Sequence, residues 1–138
     1  MTSESTAPEE IDLRQNSPVV VVADDDRDNL DFISFILDAL SLKYYLADNG
    51  ETALSLVKHK LPDLVLLDVV MPKMNGIEVV VYLKANPLTS HIPTVAITGL
   101  AEQEHLLAIE SAGFDDYLVK PFLIEDLEVR LKTLLEVN

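Results

Sequence analysis

Residues 19–40, VVVVADDDRDNLDFISFILDAL, change periodicity midway, and that change decides the fold. Val19 to Ala23 is an unbroken apolar run. A strand with one face in water would alternate, so an unbroken run points to a strand covered on both faces. Past Asp24-Asp25-Asp26, the residues Leu30, Ile33, Ile36, Leu37 and Leu40 recur at helical spacing. A strand buried on both sides followed by an amphipathic helix is one βα unit.

The same alternation continues to the end of the chain. Lys43 to Ala47 reads as a more polar strand, suited to a sheet edge. Asp48-Asn49-Gly50 is turn chemistry, and the helix after it runs through Ala53, Leu54, Leu56 and Val57 and stops before Pro62. Leu64 to Leu67 is a second buried strand ending at Asp68. Asn75 to Ala85 is a helix closed by Asn86-Pro87. Thr94 to Ile97 is a third buried strand, and Ala101 to Ala112 a helix stopped by Gly113. Tyr117 to Val119 is the last strand. Glu125 to Val137 is the last helix, with Leu127, Leu131 and Leu134 on its buried stripe. Five βα units in strict succession imply a doubly wound α/β domain: a five-stranded parallel sheet with helices on both faces.

Composition narrows the partners. The chain has 138 residues, with 10 Lys plus Arg against 24 Asp plus Glu, for a formal net charge of −14. That length suits one domain with a real core. At 49% hydrophobic and 25% charged, the composition is globular rather than disordered. An acidic surface repels phosphate backbones and anionic lipid, so neither nucleic acid nor membrane is an expected partner. No apolar stretch is long enough to span a bilayer, and residues 1–18 lack the basic start and apolar block of a signal peptide. The absence of cysteine excludes disulfides and thiolate metal sites, and a cytoplasmic location is the expectation. Residues 1–17, polar and acidic, are expected to be a disordered leader, with the folded domain spanning 18–138.

In sheets of this kind the ligand crevice lies beyond the carboxyl ends of the strands. The first strand is followed there by Asp24, Asp25 and Asp26, the third by Asp68, the fourth by Thr98-Gly99 and the fifth by Lys120-Pro121. Carboxylates, a hydroxyl and an ammonium therefore converge on one edge. Two carboxylates about 4 Å apart repel by roughly 4 kcal/mol at an effective dielectric near 20. Such a group needs cations: Lys120 supplies one charge, and a hard divalent ion with oxygen ligands, Mg²⁺, would supply the rest. A Mg²⁺ site with a lysine and a threonine hydroxyl around an unpaired Asp68 suits a transferring phosphoryl group. The plainer reading of the acidic run is a capped, solvated helix start. An EF-hand fails, because its sixth position is Asn29 and its twelfth Phe35. A phosphatase of the Asp-x-Asp nucleophile type fails because position 70 is Val.

The motifs VVVVADDD (19–26), LVLLDVVMPKMNG (64–76), AITG (96–99) and DYLVKPF (116–122) resemble, in this order, the receiver domain of two-component response regulators over residues 18–137. The resemblance implies a flavodoxin-like sheet of order 2-1-3-4-5. It implies Asp68 as phospho-acceptor, charged from the phosphohistidine of a sensor histidine kinase or a histidine phosphotransfer protein. It implies Mg²⁺ held by Asp25, Asp68 and the backbone carbonyl of Val70, with Asp24 assisting through a water. Lys120 would pair with the phosphoryl oxygens, its bond to Pro121 would be cis, and Thr98 with Tyr117 would be the switch pair. A downstream protein would read the face formed by the last two helices and the last strand. The chain would be a switch rather than an enzyme, with no attached output domain, since it ends directly after the last helix. Two alternatives are the receiver module of a hybrid kinase and a Mg²⁺-dependent small-molecule phosphatase using Asp68. A flavodoxin-like cofactor binder is disfavoured, because DDDRDN would repel phosphate. A pseudo-receiver is disfavoured because every acidic, Thr and Lys position is present.

Further expectations concern neighbouring residues. Asp26 should be a solvated cap, Gly76 should permit a tight turn or close packing, and Met71 and Met74 should be packing residues. Val70 and Leu100 place apolar groups where many family members have polar ones, and should exclude the hydrolytic water. His59, His91 and His105, with neither i, i+4 pairing nor a shared strand end, should be solvated or capping residues.

Overall fold

The computed structural model describes residues 17–135. The expected leader over 1–17 therefore lies outside the described residues except at Ser17, as does the expected helix at 136 and 137. Five strands, β1 (Val19–Ala23), β2 (Lys43–Ala47), β3 (Leu64–Asp68), β4 (Thr94–Thr98) and β5 (Asp116–Val119), alternate with five helices. These are α1 (Arg27–Ala39), α2 (Gly50–Lys60), α3 (Gly76–Ala85), α4 (Gln103–Ala112) and α5 (Ile124–Leu135). The sheet is parallel throughout, in the order β2-β1-β3-β4-β5, as the resemblance implied.

Local chemistry starts and stops the helices where the side chains allow. Asp26 caps α1 by accepting the Asp28 N–H at 3.0 Å, and Asn49 caps α2 through the Thr52 N–H at 2.9 Å. At α3, Asn75 and Glu78 form a reciprocal capping box at 2.9 and 3.0 Å. Asn75 is thus the cap and Gly76 the first helical residue. Gly113 ends α4 at a φ of 118°, a conformation that favours glycine. The start of α4 differs from the expected Ala101: the helix begins at Gln103, and Glu102 at its N-cap makes no side-chain cap hydrogen bond.

β3 and β4 are buried along their whole length, and β1 is buried except at Val19. Because successive side chains point to opposite faces, each strand feeds two cores. Val21, Leu67 and Ala96 pack with α2, α3 and α4 through Val57, Val80 and Ile109. Val22, Leu66 and Ile97 pack with α1 and α5 through Ile33, Leu37 and Leu131. Truncating one such side chain, as in Leu66→Ala, costs about 2–5 kcal/mol in lost burial plus a cavity. Leu134, expected on the buried stripe of α5, is half-buried against the second core. β2 is an edge strand, as its polar sequence indicated.

The register sets the functional edge. Ala23 pairs with Leu67, Asp68 with Ile97, and Thr98 with Val119. The carboxyl ends of β1, β3, β4 and β5 therefore finish within two residues of one another.

Candidate functional site

Asp24 is the first residue past β1 and is fully buried. Its backbone N–H still continues the sheet, donating to the Ala47 carbonyl at 3.0 Å. Its Oδ1 accepts the Asp26 N–H at 2.9 Å, and its Oδ2 accepts from the side-chain amide of Asn29 in the first turn of α1. The same Oδ2 lies 3.1 Å from Lys120 Nζ. Asp24 thus already meets three donors, while its neighbour Asp25 is exposed.

Asp68 ends β3 and is 6% exposed. Its Oδ1 accepts the Val70 N–H at 3.2 Å, and its Oδ2 lies 3.2 Å from Lys120 Nζ. Behind it, Gly76 approaches so closely that an added Cβ would meet the Asp68 carbonyl oxygen at 2.5 Å. The expected close packing at Gly76 is thus a contact with the backbone of Asp68 itself. Met71 is buried and Met74 packs against the same core, as expected of packing residues.

Carboxylate oxygens of Asp24, Asp25 and Asp68 all lie within 4.8 Å of one another. Lys120 bridges Asp24 and Asp68, yet one ammonium cannot balance three carboxylates when all are ionised. Burial, a hydrogen bond to Asp24 and the Asp24 charge push the Asp68 carboxyl up to about 7, against the weaker pull of Lys120. For Lys120 itself, burial is the largest single influence and acts downward. The hydrogen bonds and charges of Asp24 and Asp68 together outweigh it and hold the ammonium above its ordinary value. Three hard oxygen donors, two buried and one open to solvent, with residual negative charge, fit a divalent cation such as Mg²⁺.

Thr98 ends β4 and is 2% exposed. Its hydroxyl accepts the Leu100 N–H at 3.1 Å and lies 2.9 Å from Nε2 of His105. Tyr117, on β5, is half-buried against the core on the α2–α4 side. Val70 and Leu100 stand exposed at 66% and 47%, on the turns after β3 and β4. The Lys120–Pro121 bond is cis. Asp26 is the exposed cap expected of it.

The structure thus brings together Asp24, Asp25, Asp68 and Lys120, and sets Thr98 at the neighbouring strand end. Two partners escaped the sequence. Asn29 was legible only as a polar residue next to the buried Leu30, and gave no hint that it answers Asp24. His105 was expected as solvated or capping. It is half-buried and bonded to Thr98, because α4 starts at Gln103 and carries the ring over the end of β4.

A family model for the response regulator receiver domain matches residues 20–132. An uncharacterized 14.6 kDa protein encoded in the sodA1 3′ region of Leptolyngbya boryana is 36% identical over 110 residues, covering 80% of this chain and 82% of that one. The phosphate regulon transcriptional regulatory protein PhoB of Pseudomonas aeruginosa is 32% identical over 116 residues, covering 84% of this chain and 51% of its own. The chain thus spans about half the length of that relative. Among solved structures, the receiver domain of Francisella response regulator 1452 superposes with a TM-score of 0.81 at 30% identity, covering 87% of this chain and 98% of that one.

Proposed function

Because the chain belongs to the response regulator receiver domain family, a signalling module rather than a conventional enzyme, we propose that Asp68 accepts a phosphoryl group and that the resulting change is read by another protein. The observation carrying this reading is the Lys120 ammonium seated between buried Asp24 and Asp68, 3.1 and 3.2 Å away, beside the exposed Asp25. Asp25, Asp68 and the Val70 carbonyl would hold Mg²⁺, with Asp24 assisting through a water. Mg²⁺ so held offsets the carboxylate charge and that of an incoming phosphoryl group.

The chemistry balances simply. An oxygen of the ionised Asp68 attacks the phosphorus of a phosphohistidine on a sensor kinase or histidine phosphotransfer protein. A P–O bond forms, the P–N bond breaks, and its electron pair returns to the imidazole. Lys120 stabilises the added charge, the Thr98 hydroxyl donates to a phosphoryl oxygen, and Tyr117 moves with it. The α4–β5–α5 face then offers a different surface to a downstream protein in the cytoplasm. Among the described residues, no helix is long and apolar enough to cross a membrane.

The test is intact mass after incubation with Mg²⁺ and acetyl phosphate. One added phosphoryl group that requires Mg²⁺ and vanishes in Asp68→Ala supports the reading. Turnover of phosphomonoesters without a stable adduct would favour a phosphatase, and no adduct together with no turnover would count against Asp68 as acceptor.

A further inference from the structure

We propose that His105 is a positioning residue for Thr98: in the resting protein its Nε2 accepts the Thr98 hydroxyl proton, and charging of Asp68 has to take that proton away. This rests on the receiver reading above and adds to it a residue that the sequence motifs do not contain.

The argument is one of hydrogen-bond capacity. A threonine hydroxyl has one proton to give and two lone pairs to receive. The Leu100 N–H already donates to Thr98 Oγ1 at 3.1 Å. With His105 assigned the tautomer that carries its proton on Nδ1, the hydroxyl proton has two acceptors, His105 Nε2 at 2.9 Å and the Leu100 carbonyl at 3.4 Å. The imidazole nitrogen is the better placed, since hydrogen bonds weaken quickly beyond about 3.2 Å. Phosphoryl oxygens only accept. The single proton therefore serves either His105 or a phosphoryl group on Asp68, never both.

Breaking that bond reaches α4. His105 lies in the first turn, where Glu102 offers no side-chain cap, and Ile109 is the buried residue of the helix. The Thr98–His105 bond consequently tethers the poorly capped end of α4 to the end of β4. Phosphorylation that withdraws the Thr98 proton releases this tether, so occupancy of Asp68 is passed to α4 through one hydrogen bond.

The test uses the full 138-residue chain with Mg²⁺ and beryllofluoride, a phosphoryl mimic, titrated by calorimetry, together with amide hydrogen exchange of residues 101–106 without ligand. Removing the competitor in His105→Ala should tighten beryllofluoride binding about fivefold, the scale of one neutral hydrogen bond, and speed exchange at the start of α4. His105→Gln, whose amide oxygen replaces the acceptor, should restore both values. In a Thr98→Val background the effect of His105→Ala on affinity should disappear. His105→Leu serves if the alanine variant folds poorly. Unchanged or weaker binding in His105→Ala and His105→Leu, with normal binding by the parent, overturns the positioning role and leaves the receiver reading intact. An undiminished effect in the Thr98→Val background also overturns it. Failure of the parent chain to bind beryllofluoride with Mg²⁺ defeats both readings.

Discussion

Lys120 Nζ stands 3.2 Å from Asp68 Oδ2 although 52 residues separate them in sequence and β4 lies between their strands in the sheet. The lysine reaches across the end of β4, and its Nζ also lies 3.1 Å from Asp24, which follows β1 on the far side of β3. It is 26% exposed at the side chain, so this ammonium is partly withdrawn from water by two carboxylates that are almost wholly buried.

Lys120→Ala should therefore do more than impair phosphoryl transfer. It strips the counter-charge from two buried acids, and breaking a fully buried ion pair costs about 3–5 kcal/mol, less here because the Lys120 side chain is 26% exposed. The expected outcome is a lower melting temperature without metal, partly recovered by Mg²⁺, together with poor phosphorylation by acetyl phosphate. Thermal unfolding with and without Mg²⁺ checks the first part and intact mass the second.

The raised Asp68 carboxyl gives stability a definite pH dependence. In the unfolded chain the group titrates near 3.8, and in the folded protein near 7. Between these values the folded state holds more protons, so stability falls as pH rises through that window and levels off above it. In EDTA, the parent minus Asp68→Asn difference in melting temperature should decline from about pH 4 to pH 7. A difference that stays flat over this range would refute the raised value.

Divalent metal should reverse this penalty. At ten times its dissociation constant, Mg²⁺ adds about 1.4 kcal/mol by linkage. Asp25→Asn removes one carboxylate from the group, so it should stabilise the metal-free fold, weaken the Mg²⁺ shift and slow phosphorylation. Equal Mg²⁺ stabilisation in parent and variant would remove Asp25 from the ligand set.

Gly76→Ala tests the backbone contact behind the acceptor. The new methyl would sit 2.5 Å from the Asp68 carbonyl oxygen, so either α3 or the end of β3 must shift. A loss of about 1–3 kcal/mol is expected from overpacking, with a lower phosphorylation rate. A variant of parent stability and rate would show that this turn yields without moving Asp68.

Val70 and Leu100 flank the site with exposed apolar side chains. If they keep the hydrolytic water from the phosphoryl group, Val70→Asn combined with Leu100→Glu should shorten the aspartyl phosphate half-life by about a hundredfold, the low end of the usual general acid–base contribution. The decay of the phosphorylated mass with time measures it directly.

What could be read from the chain is what short-range physics controls. The unbroken apolar runs at 19–23 and 64–67 mark strands covered on both faces. The spacing of Leu30, Ile33, Ile36 and Leu37 marks a helix with one buried side. Asp48-Asn49-Gly50 and Gly113 punctuate because their side chains, or the lack of one, act within a few residues. Even the gathering of Asp24, Asp68, Thr98 and Lys120 follows from strand ends in a parallel sheet, aided by a family resemblance in their motifs. The start of α4 lies two residues past the expected Ala101, where no side chain caps the helix, and Ile109 is its buried residue.

Tertiary structure alone decided how those groups meet. Register brings Lys120 between Asp24 and Asp68, and burial, which no local pattern encodes, lifts the Asp68 carboxyl toward neutrality. Asn29 answers Asp24 only because α1 folds back over the end of β1. His105, seven residues beyond Thr98, touches its hydroxyl only because the loop between β4 and α4 returns the helix to the sheet edge. Periodicity records which side of an element is covered; it carries no information about which atom covers it.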